Sequence, residues 1–144
     1  ERAEKTGSPA AAMELDDGTI ITGKTTNLLG ASAALLLNVV KVLGNISHDI
    51  HLIAPSAIEP IQKLKVNYLG SKNPRLHTDE VLIALSASAA TDHNAQVALE
   101  QLPKLKGREV HTSVLLSDVD TKIFKKLGVN LTCEPIYEEK KIYH

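Results

Sequence analysis

The sequence has little of several residue types on which common classes of protein depend. It contains one cysteine, Cys133, and no tryptophan, and only 3% of its 144 residues are aromatic. A lone cysteine excludes an internal disulfide and any CxxC metal site, which fits a cytoplasmic protein. Apolar runs such as Ala33–Leu37 are too short to cross a bilayer, and no signal peptide is recognisable. We therefore expect a cytoplasmic chain with an aliphatic core and no membrane partner.

Excess charge of either sign is also missing. Sixteen basic and seventeen acidic residues give a formal charge of −1, with no basic block and no aromatic residues interleaved among basic ones. This pattern does not favour nucleic acid as a partner. With 43% hydrophobic residues, the chain is long enough to bury a proper core as one domain.

The segment Gly18–Thr25 reads GTIITGKT and matches the phosphate-loop pattern GxxxxGK[ST] at every position. A phosphate loop turns successive N–H groups inward, which favours glycine and small residues at its variable positions. Here all four variable positions are β-branched, and such residues favour extended backbone. The preceding Asp16-Asp17-Gly18 is typical of a hairpin turn. We interpret the segment as a hairpin strand; the alternative is a working phosphate loop, with these amides curled around a phosphate.

Apolar runs alternate with turn and capping residues along the rest of the chain. A helix is predicted over Leu28–Leu43, apolar on nearly every face and ended by Gly44. Next we predict a strand at Ile50–Ala54, a helix capped by Ser56 or Glu59 with the stripe Ile61, Leu64 and Tyr68, and a helix capped by Thr78 that runs through Val81–Ala90. The last predicted elements are a helix capped by Thr91 or Asp92, a strand in Glu109–Ser117, a helix from Ser117 to Gly128 and a strand at Val129–Glu134.

Interleaved strands and helices of this kind predict an α/β sandwich. The charged opening, residues 1–10, resembles the end of a preceding helix or linker. We expect one α/β domain over residues 11–137 and a charged tail over residues 138–144.

Two patterns of metal chemistry are incomplete in this sequence. Ser117 and Asp120 follow His111 as in the JAB/MPN metalloproteases, but the second histidine of their HxH pair is missing, and zinc needs about three protein ligands. A helix cap at Ser117 explains the same residues. The HxE and PCxxC segments of zinc deaminases are absent. We predict neither a metal site nor a bound cofactor.

Two polar loops are the candidate binding segments. Lys24, Thr25 and Asn27 follow a predicted strand and precede a helix, the position where α/β folds gather ligands. Asn73, Arg75 and His77 precede a helix start, where a guanidinium, an imidazole and free amides could hold an anion. An ordinary solvated loop is the alternative for the second segment.

Several segments in order resemble one bacterial family. They are ELDDGTIITGKT, LLGASAALLLN, HLIAPSAIEPIQKLK, YLGSKNPRLHTDEVLIAL, LKGREVHTSVLLSDVD and FKKLGVNLTCEP, with the closing IYH. Together they resemble the carboxy-terminal domain of the family filed as domain of unknown function 1846. The resemblance implies a cytosolic protein with a longer amino-terminal part that carries a phosphate-loop-like stretch of its own. It also implies a three-layer α/β/α sandwich with a mixed sheet, similar to the cytidine deaminase topology, and supplies no catalytic residues.

Two functions follow as hypotheses. In the first, the domain is the accessory half of a larger protein and binds an anionic or nucleotide-like ligand together with the amino-terminal part, through Lys24, Arg75 and His77. In the second, it is a purely structural or oligomerisation module that uses the Ala/Ser-rich helix Val81–Ala90. The sequence leaves open whether the whole protein is an enzyme, and which roles Cys133 and His111 have.

Overall fold

The computed structural model of the chain describes residues 10–113 and 116–133, and within these ranges it forms a mixed α/β fold. The strands are β1 (Ala10–Glu14), β2 (Ile20–Lys24), β3 (Glu109–Thr112) and β4 (Asn130–Cys133). The α-helices are α1 (Ala31–Leu43), α2 (Pro55–Lys63), α3 (Thr78–Ala89), α4 (His93–Leu99) and α5 (Asp118–Lys126). A π-helical turn, Leu64–Tyr68, extends α2, and a 3₁₀ turn, Leu102–Leu105, follows α4.

The phosphate-loop lookalike forms strand β2, as predicted. Ile20–Lys24 pairs antiparallel with β1, with Ile21 opposite Met13 and Gly23 opposite Ala11. Gly18 closes the turn with φ +87°, a value that glycine adopts without cost. The backbone is therefore extended where a phosphate loop would have to curl.

The sheet is mixed and has the order β2-β1-β3-β4. β1 pairs antiparallel with β2 and β3, and β3 pairs parallel with β4 through the crossover helix α5. The mixed sheet of the sequence prediction is confirmed. β2 forms one edge of this sheet, next to the start of α1.

Helix α1 lies unusually close to the edge strand because β2 has no side chain at Gly23. A Cβ atom there would lie 2.7 Å from the carbonyl oxygen of Ala31 and closer still to the amide nitrogen of Leu35. The second glycine of the apparent phosphate loop therefore serves helix packing. This helix was predicted to be buried on every face, but Val42 is exposed. It also begins at Ala31, three residues later than predicted, because Leu28 and Leu29 join a loop contact.

Two apolar clusters hold the fold together, and α1 contributes to both. Met13, Val110 and Phe124 pack in the cluster between the sheet and helices α1 and α5. The second cluster joins the other side of α1 to the helices that follow it, and includes Val40 and Leu85. Because α1 and α5 cover the same face of the sheet, α1 is the middle layer between the sheet and the outer helices.

The segment between α1 and α3 departs most from prediction. Residues 50–54 form an irregular loop and not a strand, although Leu52 and Ile53 are buried. Helix α2 begins at Pro55 with Ala54 as its uncapped N-cap, so neither Ser56 nor Glu59 is the cap, and Pro60 lies inside the helix. The apolar residues of the loop turn toward α1 without a neighbouring strand to pair with.

Helix starts elsewhere follow the predictions more closely. Asp92 caps α4 by accepting a hydrogen bond from the amide of Asn94, and Ser117 caps α5 by accepting one from the amide of Asp120. Thr78 is not a cap, since His77 occupies that position and Thr78 is the first helical residue. The predicted strand in 109–117 is shorter and ends at Thr112. Residues 1–9, residues 114–115 and the predicted tail lie outside the described residues.

Candidate functional site

The two polar loops predicted as binding segments meet in the structure. A parallel bridge joins Leu29 to Leu76, with the Leu76 amide donating to the Leu28 carbonyl at 3.0 Å. The Arg75 side chain reinforces this contact, because its Nε donates to the carbonyl oxygen of Thr26. Segments almost fifty residues apart in sequence thus form one continuous surface.

The side chains of the second loop are occupied with structural tasks. Asn73 Oδ1 accepts a hydrogen bond from the Arg75 amide at 3.0 Å. His77 caps α3 in a reciprocal arrangement with Glu80, whose Oε1 accepts from the His77 amide at 2.8 Å. These contacts explain the polar composition of the loop without a ligand.

A buried lysine below this loop holds it in place. Lys65 Nζ donates to the Arg75 carbonyl at 2.6 Å and to Glu80 Oε1 at 2.9 Å. Burial alone would raise the pKa of the Glu80 carboxyl, but hydrogen bonds from the His77 amide and the Lys65 ammonium outweigh burial, so its pKa lies below the usual value. Glu80 is consequently ionised and paired at neutral pH.

A cleft of about 430 Å³ opens on the other side of the first loop, between β2, α1 and the start of α2. Its apolar lining includes Leu28, Leu37 and Ile58. Its polar lining consists of Thr22, Lys24, Thr26, Asn38, Lys41, His48 and His51. We call it the cationic cleft, because Lys24, Lys41, His48 and His51 are the ionisable side chains that the described part of the chain places on its walls.

Lys41 is the most enclosed cation of the cationic cleft. Its side chain reaches back from α1, and Nζ donates to the His48 carbonyl at 3.1 Å. Partial burial lowers the pKa of the Lys41 ammonium, while the nearby Asp49 carboxylate opposes that shift. A desolvated ammonium interacts more strongly with an incoming anion than a fully hydrated one.

The edge strand gives the cationic cleft a polar backbone wall. The Leu15 amide donates to the Thr19 carbonyl across the hairpin, so these two residues are a hydrogen-bonded pair. Such pairs alternate with non-hydrogen-bonded pairs along an antiparallel ladder. The N–H and C=O groups of Ile20, Thr22 and Lys24 therefore point away from β1. One of these groups, the Thr22 carbonyl, accepts a hydrogen bond from Asn38 Nδ2 at 2.9 Å. This bond fixes Asn38 at the junction with a neighbouring cavity of about 300 Å³ lined by Ile20, Val42 and Ile46.

Of the site residues predicted from the sequence, some lie at the cationic cleft and others do not. Lys24 lines the cationic cleft, and Thr25 and Asn27 lie in the loop beside it, where the Asn27 carbonyl accepts a hydrogen bond from Gln62. Asn73, Arg75 and His77 do not line it. Lys41, His48 and His51 also line the cleft, and they were not singled out from the sequence.

A second polar cavity, of about 400 Å³, lies at the hairpin turn and the start of β3. We call it the mixed-charge pocket, since its walls carry both signs: Lys104, Lys106, Arg108, Glu14, Asp16 and Glu109. Arg108 donates to both carboxylate oxygens of Asp16, at 3.1 and 3.5 Å.

The residues that resembled a metalloprotease pattern have other partners. Asp120 Oδ1 accepts from the amide and the hydroxyl of Thr78, at 3.0 and 2.6 Å, and so joins the first turns of α3 and α5. His111 is exposed on β3. Within residues 10–113 and 116–133 no group of three or more His, Cys, Asp or Glu side chains is arranged to hold a metal ion. None of the described helices is long and apolar enough to span a membrane.

Comparison with known proteins places this chain in a family. The family model described as "Domain of unknown function DUF1846, C-terminal" matches residues 1–143. The chain belongs to this family. A UPF0371 protein of Corynebacterium urealyticum is 59% identical over 143 residues, and one of Streptococcus uberis is 48% identical over 143 residues.

The relatives are much longer than this chain. The matches cover 99% of the chain but only 29% of the Corynebacterium urealyticum protein and 29% of the Streptococcus uberis protein. The sequence described here therefore corresponds to a carboxy-terminal domain in proteins about three and a half times its length.

Proposed function

We propose that this domain is the ligand-binding accessory part of a longer cytoplasmic protein and that it binds a small phosphorylated molecule in the cationic cleft. One observation carries the proposal. Lys24, Lys41, His48 and His51 converge on a cavity with an apolar floor, and among the described residues no Asp or Glu lines it. A phosphate group would supply the negative charge that the walls of the cleft lack.

The shape of the lining suggests how such a ligand would lie. Lys24, His48 and His51 are exposed to solvent, whereas the apolar lining residues Leu28 and Leu37 are partly buried and Ile58 is buried. A ligand with a phosphate at one end and an uncharged ring at the other would satisfy both parts. A nucleotide-like molecule has this division.

The start of α2 adds to the positive potential. Pro55 lines the cleft, and the N-cap Ala54 provides no side-chain hydrogen bond to the first turn. An uncapped helix start carries partial positive charge, although Pro55 has no amide hydrogen and the Ala57 amide already donates to the Ala54 carbonyl at 2.8 Å. The Asp49 carboxylate near Lys41 acts in the opposite direction.

The proposal also concerns the boundaries of the domain and the arrangement of its layers. We propose that the complete domain spans residues 11–137 and that its sheet is similar to that of the cytidine deaminase topology. Helices α1 and α5 cover one face of this sheet and the later helices pack behind α1, so the three-layer α/β/α sandwich that the resemblance implies would need a further layer on the opposite face. The order β2-β1-β3-β4, with its antiparallel hairpin at one edge, supports this assignment. The missing HxE and PCxxC segments indicate that such a topology would serve here without zinc.

Calorimetric titration of the full-length protein with pyrophosphate, AMP and ATP tests the proposal. We expect Lys41→Met to weaken binding at least about tenfold, since it removes the most desolvated cation. Lys104→Met, in the mixed-charge pocket, is the matched control and should leave the affinity unchanged. Arg75→Ala should change it by less than about threefold, because Arg75 acts only through the Thr26 carbonyl. Equal effects of the Lys41 and Lys104 substitutions would contradict a site in this cleft.

The structural module is the second candidate, and helix α3 is its basis. Val81, Ala84 and Leu85 of α3 are buried inside the domain, whereas Ile83 is 69% exposed on the other side of the helix. Light scattering of the full-length protein separates the candidates. An oligomer that Ile83→Asp dissociates, without any response to phosphate ligands, would favour the structural role.

A further inference from the structure

Four large apolar side chains stand exposed on six consecutive residues at the end of α2. Leu64 is 47% exposed, Val66 39%, Tyr68 71% and Leu69 71%. We call these residues the 64–69 patch. Single exposed apolar residues are ordinary, but a contiguous group of them is typical of a surface that contacts something else.

The sequence pattern predicts the opposite orientation. Leu64 and Tyr68 continue the helical stripe that begins at Ile61 and were expected to face the core. The π-helical turn changes the register, as the Leu69 amide donates to the Leu64 carbonyl five residues back. Tyr68 consequently turns away from the buried side of the helix, while Leu64 lies off that side because it runs through Ile58 and Lys65, which are seven residues apart.

Lys65 fixes this register from the inside. Its ammonium is buried against the Arg75 carbonyl and Glu80, and its own carbonyl accepts from the Ser71 amide at 2.8 Å. Turning the apolar residues inward would expose or unpair this buried cation, which is costly. The exposure of the 64–69 patch is therefore built into the fold.

The size of the patch argues for an occupant in the same chain. Its exposed area is on the order of 400 Å², about half of the roughly 800 Å² per partner that a standard stable interface buries. A second copy binding through this patch alone would be held weakly. A covalently connected partner needs less contact, because the connection supplies a high effective concentration.

We propose that the 64–69 patch is the surface on which the amino-terminal part of the full-length protein docks. The relatives provide that partner, since this domain corresponds to only 29% of their length. Helix α2 starts at the cationic cleft and ends in the patch, and Gln62 ties it to the Asn27 carbonyl at 2.9 Å. Docking at the patch would place the amino-terminal part beside the cleft, whether or not the cleft binds a phosphate.

Site-specific photo-crosslinking in the full-length protein tests this proposal. A benzophenone amino acid replaces Tyr68, and a second protein carries it at Val119, a control that is 41% exposed on helix α5. Mass spectrometry should find position 68 joined to peptides of the amino-terminal part within a single chain, with at least about fivefold higher yield than position 119. Adducts that join two copies, or equal yields at both positions, would overturn the proposal.

A substitution pair gives an independent measurement. Leu69→Asp should loosen the docked arrangement and raise the rate of proteolytic cleavage between the two parts of the full-length protein about tenfold. Val119→Asp should change that rate less than twofold. Circular dichroism of both variants checks that their folds are intact. Equal cleavage rates for the two folded variants would count against docking at this patch.

Discussion

The cationic cleft and the mixed-charge pocket are similar in volume but differ in how their charges are balanced. Each has several cationic side chains, yet the mixed-charge pocket also contains carboxylates, one of them bonded to Arg108. Among the described residues no carboxylate lines the cationic cleft, and the Asp49 carboxylate lies near Lys41. A cation that finds its partner within the domain contributes to the fold, whereas a cation on a wall without carboxylates remains free to meet a ligand.

The walls of the two cavities should respond very differently to an added methyl group. Gly23→Ala would press a Cβ into the backbone of α1, so we expect a loss of roughly 3 kcal/mol in stability. Gly107→Ala, in the mixed-charge pocket, meets no atom within 4 Å but needs φ +87°, which costs about 1–2 kcal/mol. Urea unfolding of both variants measures the difference. Equal losses would show that α1 does not depend on the glycine for its position.

Substitution should also separate Lys65, which forms a salt bridge with Glu80, from Lys41, whose ammonium bonds to the His48 carbonyl. Lys65→Met leaves the Arg75 carbonyl and Glu80 without their cation, and we expect a loss of about 2 kcal/mol. Lys41→Met removes a cation that burial disfavours, so the stability of the protein should not fall. Urea unfolding at pH 7 compares the two methionine variants. A larger loss for the Lys41 variant would reverse the assignment of the two lysines.

The dependence of stability on pH tests the ion pair between Lys65 and Glu80. The folded-state pKa of Glu80 is depressed, so its contribution is present above the pKa of an unfolded glutamate, about 4.3, and is lost as the pH falls through the lower folded value. Glu80→Gln should therefore lose stability at pH 7 and show a flatter decline below pH 4.3 than the unsubstituted protein. An identical decline in both proteins would remove Glu80 from the stabilising network.

The sequence predicts those parts of the fold whose signals are local. The Asp17-Gly18 turn, the end of α1 at Gly44 and the cap at Ser117 each depend on one or two neighbouring residues, and all three are confirmed. The β-branched residues of the apparent phosphate loop likewise predict the strand they form. Local chemistry is sufficient where a turn or a cap determines the backbone.

Contacts between distant residues explain what the sequence could not predict. The apolar run Ile50–Ala54 packs against α1 as a loop, and only the tertiary structure determines that it has no strand partner. The π-helical turn depends on Lys65 reaching residues ten and fifteen positions away. The cationic cleft likewise combines Lys24 with residues of α1 and of the loop after it, so only Lys24 was identified from its local pattern.

The smallest expected effect concerns the ion pair of the mixed-charge pocket. Asp16 is 94% exposed, so Asp16→Asn should change the stability by no more than about 0.5 kcal/mol. The same substitution releases Arg108 from its carboxylate and leaves the cations of the pocket in excess. If unbalanced cations are what make a cavity bind phosphate, calorimetry should detect weak pyrophosphate binding that Arg108→Met then abolishes. Pyrophosphate binding unchanged by Asp16→Asn would show that charge balance alone does not distinguish the two cavities, and that the apolar floor of the cationic cleft is required as well.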